Sequence, residues 1–419
     1  MKRYLTFLWD CFRLSFVGDW RYHAWMTALT LVALGGVYAY CHQFVHGLAV
    51  SGMTDQVSWG MYIANFTYLV GLAAAAAMLV IPVYVYRNLH LHDVVIFGEL
   101  LAVSVIVMCL LFVMVDLGRP DRFHHLLLRF NFPMSMLTWD VIALNGYLLL
   151  NLHICGYLIY CAYCGRNPSK KFYIPFVFIA IAWAISIHTV TAFLYVGLGG
   201  RPFWNSAIIA PRFLASAFAA GPAFIILTLQ IVRHFTSHKV SDDALFTLRR
   251  IVQVALIINL FLLLCELFTE FYADTHHIAS AQYLFLGLHG YNALVPWIWT
   301  AVAMNVVATT LFMLPLSRAL KTLNIACVLA IVGIWIEKGM GLIVPAFIPS
   351  PLGEIVEYSP TPHETMICLG IWAFGLLVYT ILVRVSVPVL AGQVTYAPRW
   401  SRSRQEPVAP VAAPVPENT

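Results

Sequence analysis

Long apolar runs broken by a few polar positions recur along the whole chain. They predict about ten hydrophobic helices, over 24–47, 57–86, 93–116, 136–162, 172–197, 206–233, 247–273, 290–315, 320–348 and 364–390. A helix of about 20 apolar residues crosses a ~30 Å hydrocarbon layer, and these runs match that length. The first residues read differently. Leu5, Trp9, Phe12 and Phe16 recur at helical spacing among basic residues, as in a helix lying in the membrane interface, and there is no continuous apolar stretch of a cleavable leader. Beyond Tyr396 the chain becomes Pro- and Ala-rich, which predicts a disordered tail. The expected organisation is an interfacial segment over 1–23, a transmembrane domain over 24–393 and a tail over 394–419. The fold class is an all-α integral membrane protein.

Two helices share a pattern. SWGMYIANFTYLVGLAAAAA and FWNSAIIAPRFLASAFAAGP each open on Trp (Trp59, Trp204), place a Leu ten positions on (Leu69, Leu214) and end in small residues. Small residues let membrane helices pack closely. If the pattern is a repeat, an even number of helices separates the copies. The halves would then be parallel four-helix bundles, helices 2–5 and 6–9, with flanking helices, and not inverted repeats. Two ordinary tight-packing helices would look the same.

Composition agrees with the pattern: 61% of the 419 residues are hydrophobic and 10% charged, against about 25% charged in soluble domains. Little remains for a soluble catalytic domain. The net charge of +5 follows membrane topology and does not point to nucleic acid. About 18 Lys and Arg fall on one side of the predicted helices and about 4 (Arg119, Arg122, Arg129, Arg201) on the other, which by the positive-inside rule places both termini in the cytoplasm. The expected location is the cytoplasmic (inner) membrane of a bacterium or archaeon, with lipid around every helix. Three of the four exceptions lie in one loop, which topology does not explain.

That loop carries the candidate chemistry. Asp116 ends the third predicted helix and Asp140 opens the fourth, so both carboxylates lie near the non-cytoplasmic surface. Between them Arg119 offers fixed donors to a carbonyl or carboxylate, and His124 and His125 can relay protons near neutral pH. An Asp–Arg salt bridge pinning the loop is the structural alternative. At the entry of the second helix Tyr62 and Asn65 share a face and could hydrogen-bond a quinone oxygen while Trp59 packs the ring; Trp139, beside Asp140, joins this binding set. Interfacial aromatic belts explain Trp and Tyr equally well. Glu99, Glu266, Glu270 and Glu337 are intramembrane carboxylates and candidates for a proton path. Glu337 and its neighbour Lys338 point about 100° apart and should need separate partners.

Haem and metal fit less well. His153 and His188 would lie about 13 Å and 24 Å from the cytoplasmic ends of their helices, an offset too large for one haem. His42 and His46, one turn apart on one helix, cannot bind opposite faces of a porphyrin. Cys161 and Cys164 form a lone C-x-x-C, whereas an iron–sulfur cluster needs four ligands. No metal, haem or iron–sulfur cluster is expected.

The order WGMYIANF, FGELLAV, DLGRP and TWDVIALNGY resembles the NrfD/PsrC family of quinone-reactive membrane subunits. The later WIEKGMGLIVPAFIPSPLGEIVEYSP is similar to its ten-helix branch in redox complexes of sulfur and sulfate metabolism, the Dsr, Qrc and Hmc types. The resemblance implies a quinol or quinone, with menaquinone foremost, bound near the periplasmic face. It implies a ferredoxin-like iron–sulfur partner, with multihaem cytochrome or other redox subunits beside it. The family's DLGRP element falls on Asp116 to Pro120, its helix-4 Asp on Asp140 and its helix-3 Glu on Glu99. Some relatives have His where Asp116 stands. The reading from a different class is a proton- or ion-coupled secondary transporter, motivated by Glu266, Glu270, Glu337 and Lys338.

Overall fold

The computed structural model describes residues 2–86, 91, 94–129, 131–236, 238, 240–272 and 278–396. The predicted tail therefore lies outside the described residues beyond Tyr396. The chain is all-helical, and nine helical stretches among the described residues are long and apolar enough to span a membrane.

The elements are α1 (Lys2–Leu14), α2 (Trp20–His46), α3 (Met61–Ala73), α4 (Ala75–Val80), α5 (Val95–Asp116), α6 (His125–Leu128), α7 (Met136–Tyr163) and α8 (Lys170–Val196). They continue with α9 (Ile209–Phe235), α10 (Asp242–Tyr272), α11 (Ile278–Phe285), α12 (Val295–Met313), α13 (Leu320–Lys338), α14 (Met340–Ile343) and α15 (Pro362–Leu390). The second predicted span, 57–86, is a broken helix. A turn at Ala74 separates α3 from α4, and Ile81–Val85 widens to a π-helix at Pro82, where the missing N–H and the ring displace the regular ladder. Leu5, Trp9 and Phe12 on α1 and Phe16 just beyond it are all exposed, and Phe7 packs inward.

The packing forms two four-helix units. The first contains α3–α4, α5, α7 and α8, and the second α9, α10, α12 and α13; α3 and α9 meet at the seam. The flanking pair is α2 and α15, which lies against α5. At the α2–α15 crossing a Cβ on Gly36 would come 2.6 Å from the Gly370 Cα, so the two glycines set the approach of the backbones. In the first unit α3 is buried along nearly its whole length.

Because successive spans alternate in direction, the ends of α2, α5, α8, α10 and α13 share one face with the starts of α3, α7, α9, α12 and α15. Asp116, Asp140, Glu266, Glu337 and Glu364 all lie toward this face, and Glu99 lies toward the opposite one.

Candidate functional site

The first cluster sits where α2, α3, α5, α7, α8 and α15 converge. Asp116, the last residue of α5, is half-buried, and its Oδ1 is enclosed without a hydrogen-bond partner. Asp140, one turn into α7, is 1% exposed and accepts a 2.6 Å hydrogen bond from Thr191 Oγ1 of α8. Tyr195 lies one helical turn beyond Thr191 on α8, and its hydroxyl shares a 2.5 Å hydrogen bond with Thr67 of α3. Among the described residues neither carboxylate forms a salt bridge.

Tyr62 is fully buried and donates to Gln43 Oε1 at 2.6 Å, while Gln43 Nε2 donates to the Val115 carbonyl at 2.7 Å. This chain of hydrogen bonds ties α3 to α2 and to the residue before Asp116. Asn65 Oδ1 accepts from the indoles of Trp335 and Trp372 at 3.0 and 2.8 Å, and its amide donates to the Met61 carbonyl. Tyr62 and Asn65 thus face two different networks, and Asn65 fastens α3 to α13 and α15. Trp59 packs in an aromatic roof, edge-to-face with Tyr195 and Phe347 and tilted against Trp204, ring centroids 5.6 to 5.9 Å away. The Arg201 guanidinium covers the Phe347 ring at 4.3 Å. The two Trp residues of the sequence pattern, Trp59 and Trp204, therefore meet at the seam between the helical units.

The loop between α5 and α7 faces outward. Arg119 pairs with Asp121, not with Asp116 or Asp140, through hydrogen bonds of 2.9 and 3.0 Å. The Arg119 hydrogen bond and charge hold the Asp121 carboxyl below its usual range. His124 and His125 are exposed, with rings 4.5 Å apart. Trp139 is at the surface and donates to the Pro133 carbonyl at 2.9 Å.

A residue absent from the sequence reading completes this cluster. Glu364, in the first turn of α15, is fully buried. It accepts from the Gly52 and Met61 backbone N–H groups at 3.1 Å each and from the Tyr358 hydroxyl, and it lies within charge range of Asp116. Its signal was local: Thr361 caps α15 by accepting from Glu364 N–H, the T-x-x-E pattern of a helix start.

The second cluster lies in the other helical unit. Arg212 of α9, 5% exposed, pairs with Glu266 of α10 and, at 2.9 Å, with Glu337 of α13. Asn259 and Asn305 donate to Glu337 Oε2 at 3.1 and 2.8 Å. Lys338 Nζ lies 3.5 Å from Glu337 Oε1 and 5.8 Å from the Phe213 ring centroid, so the neighbours Glu337 and Lys338 do pair despite their angular separation. Two cations and two carboxylates balance, which makes burial of all four tolerable. Glu270 lines a cavity of about 20 Å³ beside Arg212, Glu266 and Glu337. Arg212 escaped the sequence reading although an Arg inside a predicted span is itself a sign of an intramembrane site.

Glu99 stands apart near the opposite face. It is 1% exposed, takes a weak contact from Cys155 Sγ at 3.5 Å and borders a cavity with Tyr147 and Asn151. Of the histidines weighed for haem, His188 is buried in α8 and His153 is exposed.

The comparisons follow the same helices. The family described as Polysulphide reductase, NrfD matches residues 49–346. The protein is 25% identical to the C subunit of the selenate reductase of Mesobacillus selenatarsenatis over 88% of its own length and 95% of that protein's. It is 22% identical to the Hdr-like menaquinol oxidoreductase integral membrane subunit of Archaeoglobus fulgidus, over 87% and 93%. To the C chain of the polysulfide reductase of Wolinella succinogenes it is 30% identical over 40% and 56%. The matched stretch takes in both clusters up to Lys338 and leaves out Glu364, and by it this chain belongs to the NrfD family of membrane subunits of reductase and oxidoreductase complexes.

Proposed function

We propose that the chain binds quinol or quinone at the Asp116–Asp140 cluster and exchanges its electrons with a partner redox subunit. The observation that carries this is a pair of carboxylates toward one face, Asp140 bonded to the Thr191 hydroxyl and Asp116 with an enclosed, unpartnered oxygen, neither of them in a salt bridge among the described residues. Quinol oxidation releases two protons with two electrons, so a site for it needs acceptors of protons beside hydrogen-bond donors. Asp116 and Asp140 serve as the acceptors and Tyr195 and Thr191 as hydroxyl partners; Trp59 and Tyr62 stand beside them. Arg119, His124 and His125 occupy the exposed loop above the cluster. Menaquinol suits the site because one relative is named as a menaquinol oxidoreductase subunit, and sulfur chemistry in the partner is supported by the name of another.

The quinol itself would supply the electrons, and a partner subunit, in this reading of ferredoxin-like iron–sulfur type with multihaem cytochrome beside it, would receive them. The face with the acidic cluster is then the periplasmic one, both termini are cytoplasmic and the membrane is the cytoplasmic membrane. Glu99, Glu266, Glu270 and Glu337 are the candidates for proton conduction. The balanced Arg212–Glu266–Glu337–Lys338 cluster also suits ion-coupled transport, the competing reading.

Binding of a quinol analogue to the intact complex, read by fluorescence quenching, tests the site. An Asp116→Asn, Asp140→Asn double variant is expected to lose at least about tenfold in affinity, the size of one hydrogen bond to a charged group. Unchanged affinity would overturn the assignment.

A further inference from the structure

Three residues from three helices, each with a buried polar atom that has no hydrogen-bond partner, line one small cavity at the seam between the two helical units. Tyr68 of α3 is 3% exposed and its hydroxyl has no hydrogen-bond partner. His188 of α8 is 1% exposed; Nδ1 contacts the Ala184 carbonyl at 2.9 Å, while Nε2, with the Gly71 backbone nearby, makes no hydrogen bond of good geometry. Lys338 of α13 is 3% exposed, and its ammonium makes no hydrogen bond although Glu337 is 3.5 Å away. These side chains border a cavity of about 10 Å³ together with Thr67 and Ser216. That is about the room of one water, and a buried water is stable where two to four polar groups converge on it.

We propose that this cavity is a hydrated bridge that carries protons between the two polar clusters. On one side stands Thr67, hydrogen-bonded to Tyr195, which lies one turn of α8 beyond the Thr191 that donates to Asp140. On the other stands Lys338, beside Glu337 and through it Arg212, Asn259 and Asn305. Phe213 and Ile334 wall the cavity, so without water the route between the clusters is apolar. In the transfer, the Lys338 ammonium gives a proton to Glu337, 3.5 Å away, the Thr67–Tyr195 hydroxyl chain gives a proton to the water, and the water's own proton refills the Lys338 amine, while His188 Nε2 holds the water by accepting its other hydrogen. The hydroxyl chain is refilled from the carboxylate side. One proton moves, and no heavy-atom bond changes. The bridge rests on the acidic cluster being the site of quinol oxidation, and it adds where those protons go.

Two measurements on the intact complex test it. A cryo-EM map that resolves ordered water should show density between Tyr68 Oη, His188 Nε2 and Lys338 Nζ; a dry cavity overturns the bridge. In proteoliposomes with a pH-reporting dye, a Tyr68→Phe, His188→Leu double variant should release quinol protons at least about tenfold more slowly, while quinol-analogue affinity stays within twofold of the unmodified complex. Replacing His188 by Gln in the Tyr68-intact chain should restore much of the rate, which separates proton transfer from misfolding. Unaltered proton release in the double variant overturns the bridge even if water is present. A complex that binds no quinol overturns the reading of the acidic cluster, and with it the bridge's proton donor, whereas the water density still reports on the cavity alone.

Discussion

Arg212 shows how much one buried residue can hold. Its guanidinium bonds Glu266 and Glu337 from two other helices, and removing one partner of a buried ion pair typically costs about 3–5 kcal/mol because the remaining charges lose their compensation. Arg212→Leu should therefore lower the melting temperature of the detergent-solubilised complex steeply, and adding Glu266→Gln should recover part of the loss; equal melting of Arg212→Leu and the unmodified protein would contradict the pairing. At the surface the balance differs. Arg119 and Asp121 are both exposed, so their pair is screened by water and salt. The Asp121 carboxyl is held below its usual range by the Arg119 hydrogen bond. Its contribution is therefore fully present above the ordinary carboxylate value of about 3.9 and is lost as pH falls through the lowered one. A carbon-13 titration of Asp121 should move up toward that value in Arg119→Gln, and an unmoved midpoint would show that the two groups do not interact.

Among the elements, the α2–α15 pair depends on two small residues. A Cβ on Gly36 would meet the Gly370 backbone, and backbone cannot yield as a flexible side chain can. Gly370→Leu is expected to separate α2 from α15 and abolish a disulfide cross-link engineered at their contact, while the second helical unit, which shares neither helix, keeps its fold. Efficient cross-linking in the variant would show that the glycines are not required. The same flanking helix brings Glu364 to the start of α3, so the separation should also reduce quinol-analogue binding at the acidic cluster.

For the whole molecule, quinone chemistry and ion transport predict different behaviour. A transporter works alone in liposomes. A quinone subunit needs a partner within electron-tunnelling reach, because quinol electrons must have somewhere to go. The purified protein in liposomes is expected to show no ion uptake driven by a pH gradient, and the intact complex to reduce its electron acceptor when quinol is added. Gradient-driven uptake by the lone protein would favour the transport reading.

Apolar periodicity was enough to determine the helical class and most of the spans, because a helix that must bury its backbone in lipid announces itself by composition and length. Even the halves were legible, through Trp59, Trp204 and the small residues that follow them. The break at Ala74 and the π-turn at Ile81–Val85 were not, since a Pro near a helix end perturbs the coil by an amount that depends on its neighbours. The acids at the ends of α5 and α7 could be placed on one face from topology alone. Which groups touch them could not. Arg119 stands two residues from Asp121 and three from Asp116, and only the loop's path turns it outward. Arg212, Glu337 and Glu266 are far apart in the sequence, as are Glu364 and Met61 or Tyr195 and Thr67. Their pairing is decided by how helices rotate and cross, because a buried charge or hydroxyl takes whichever partner the tertiary packing brings within hydrogen-bond distance.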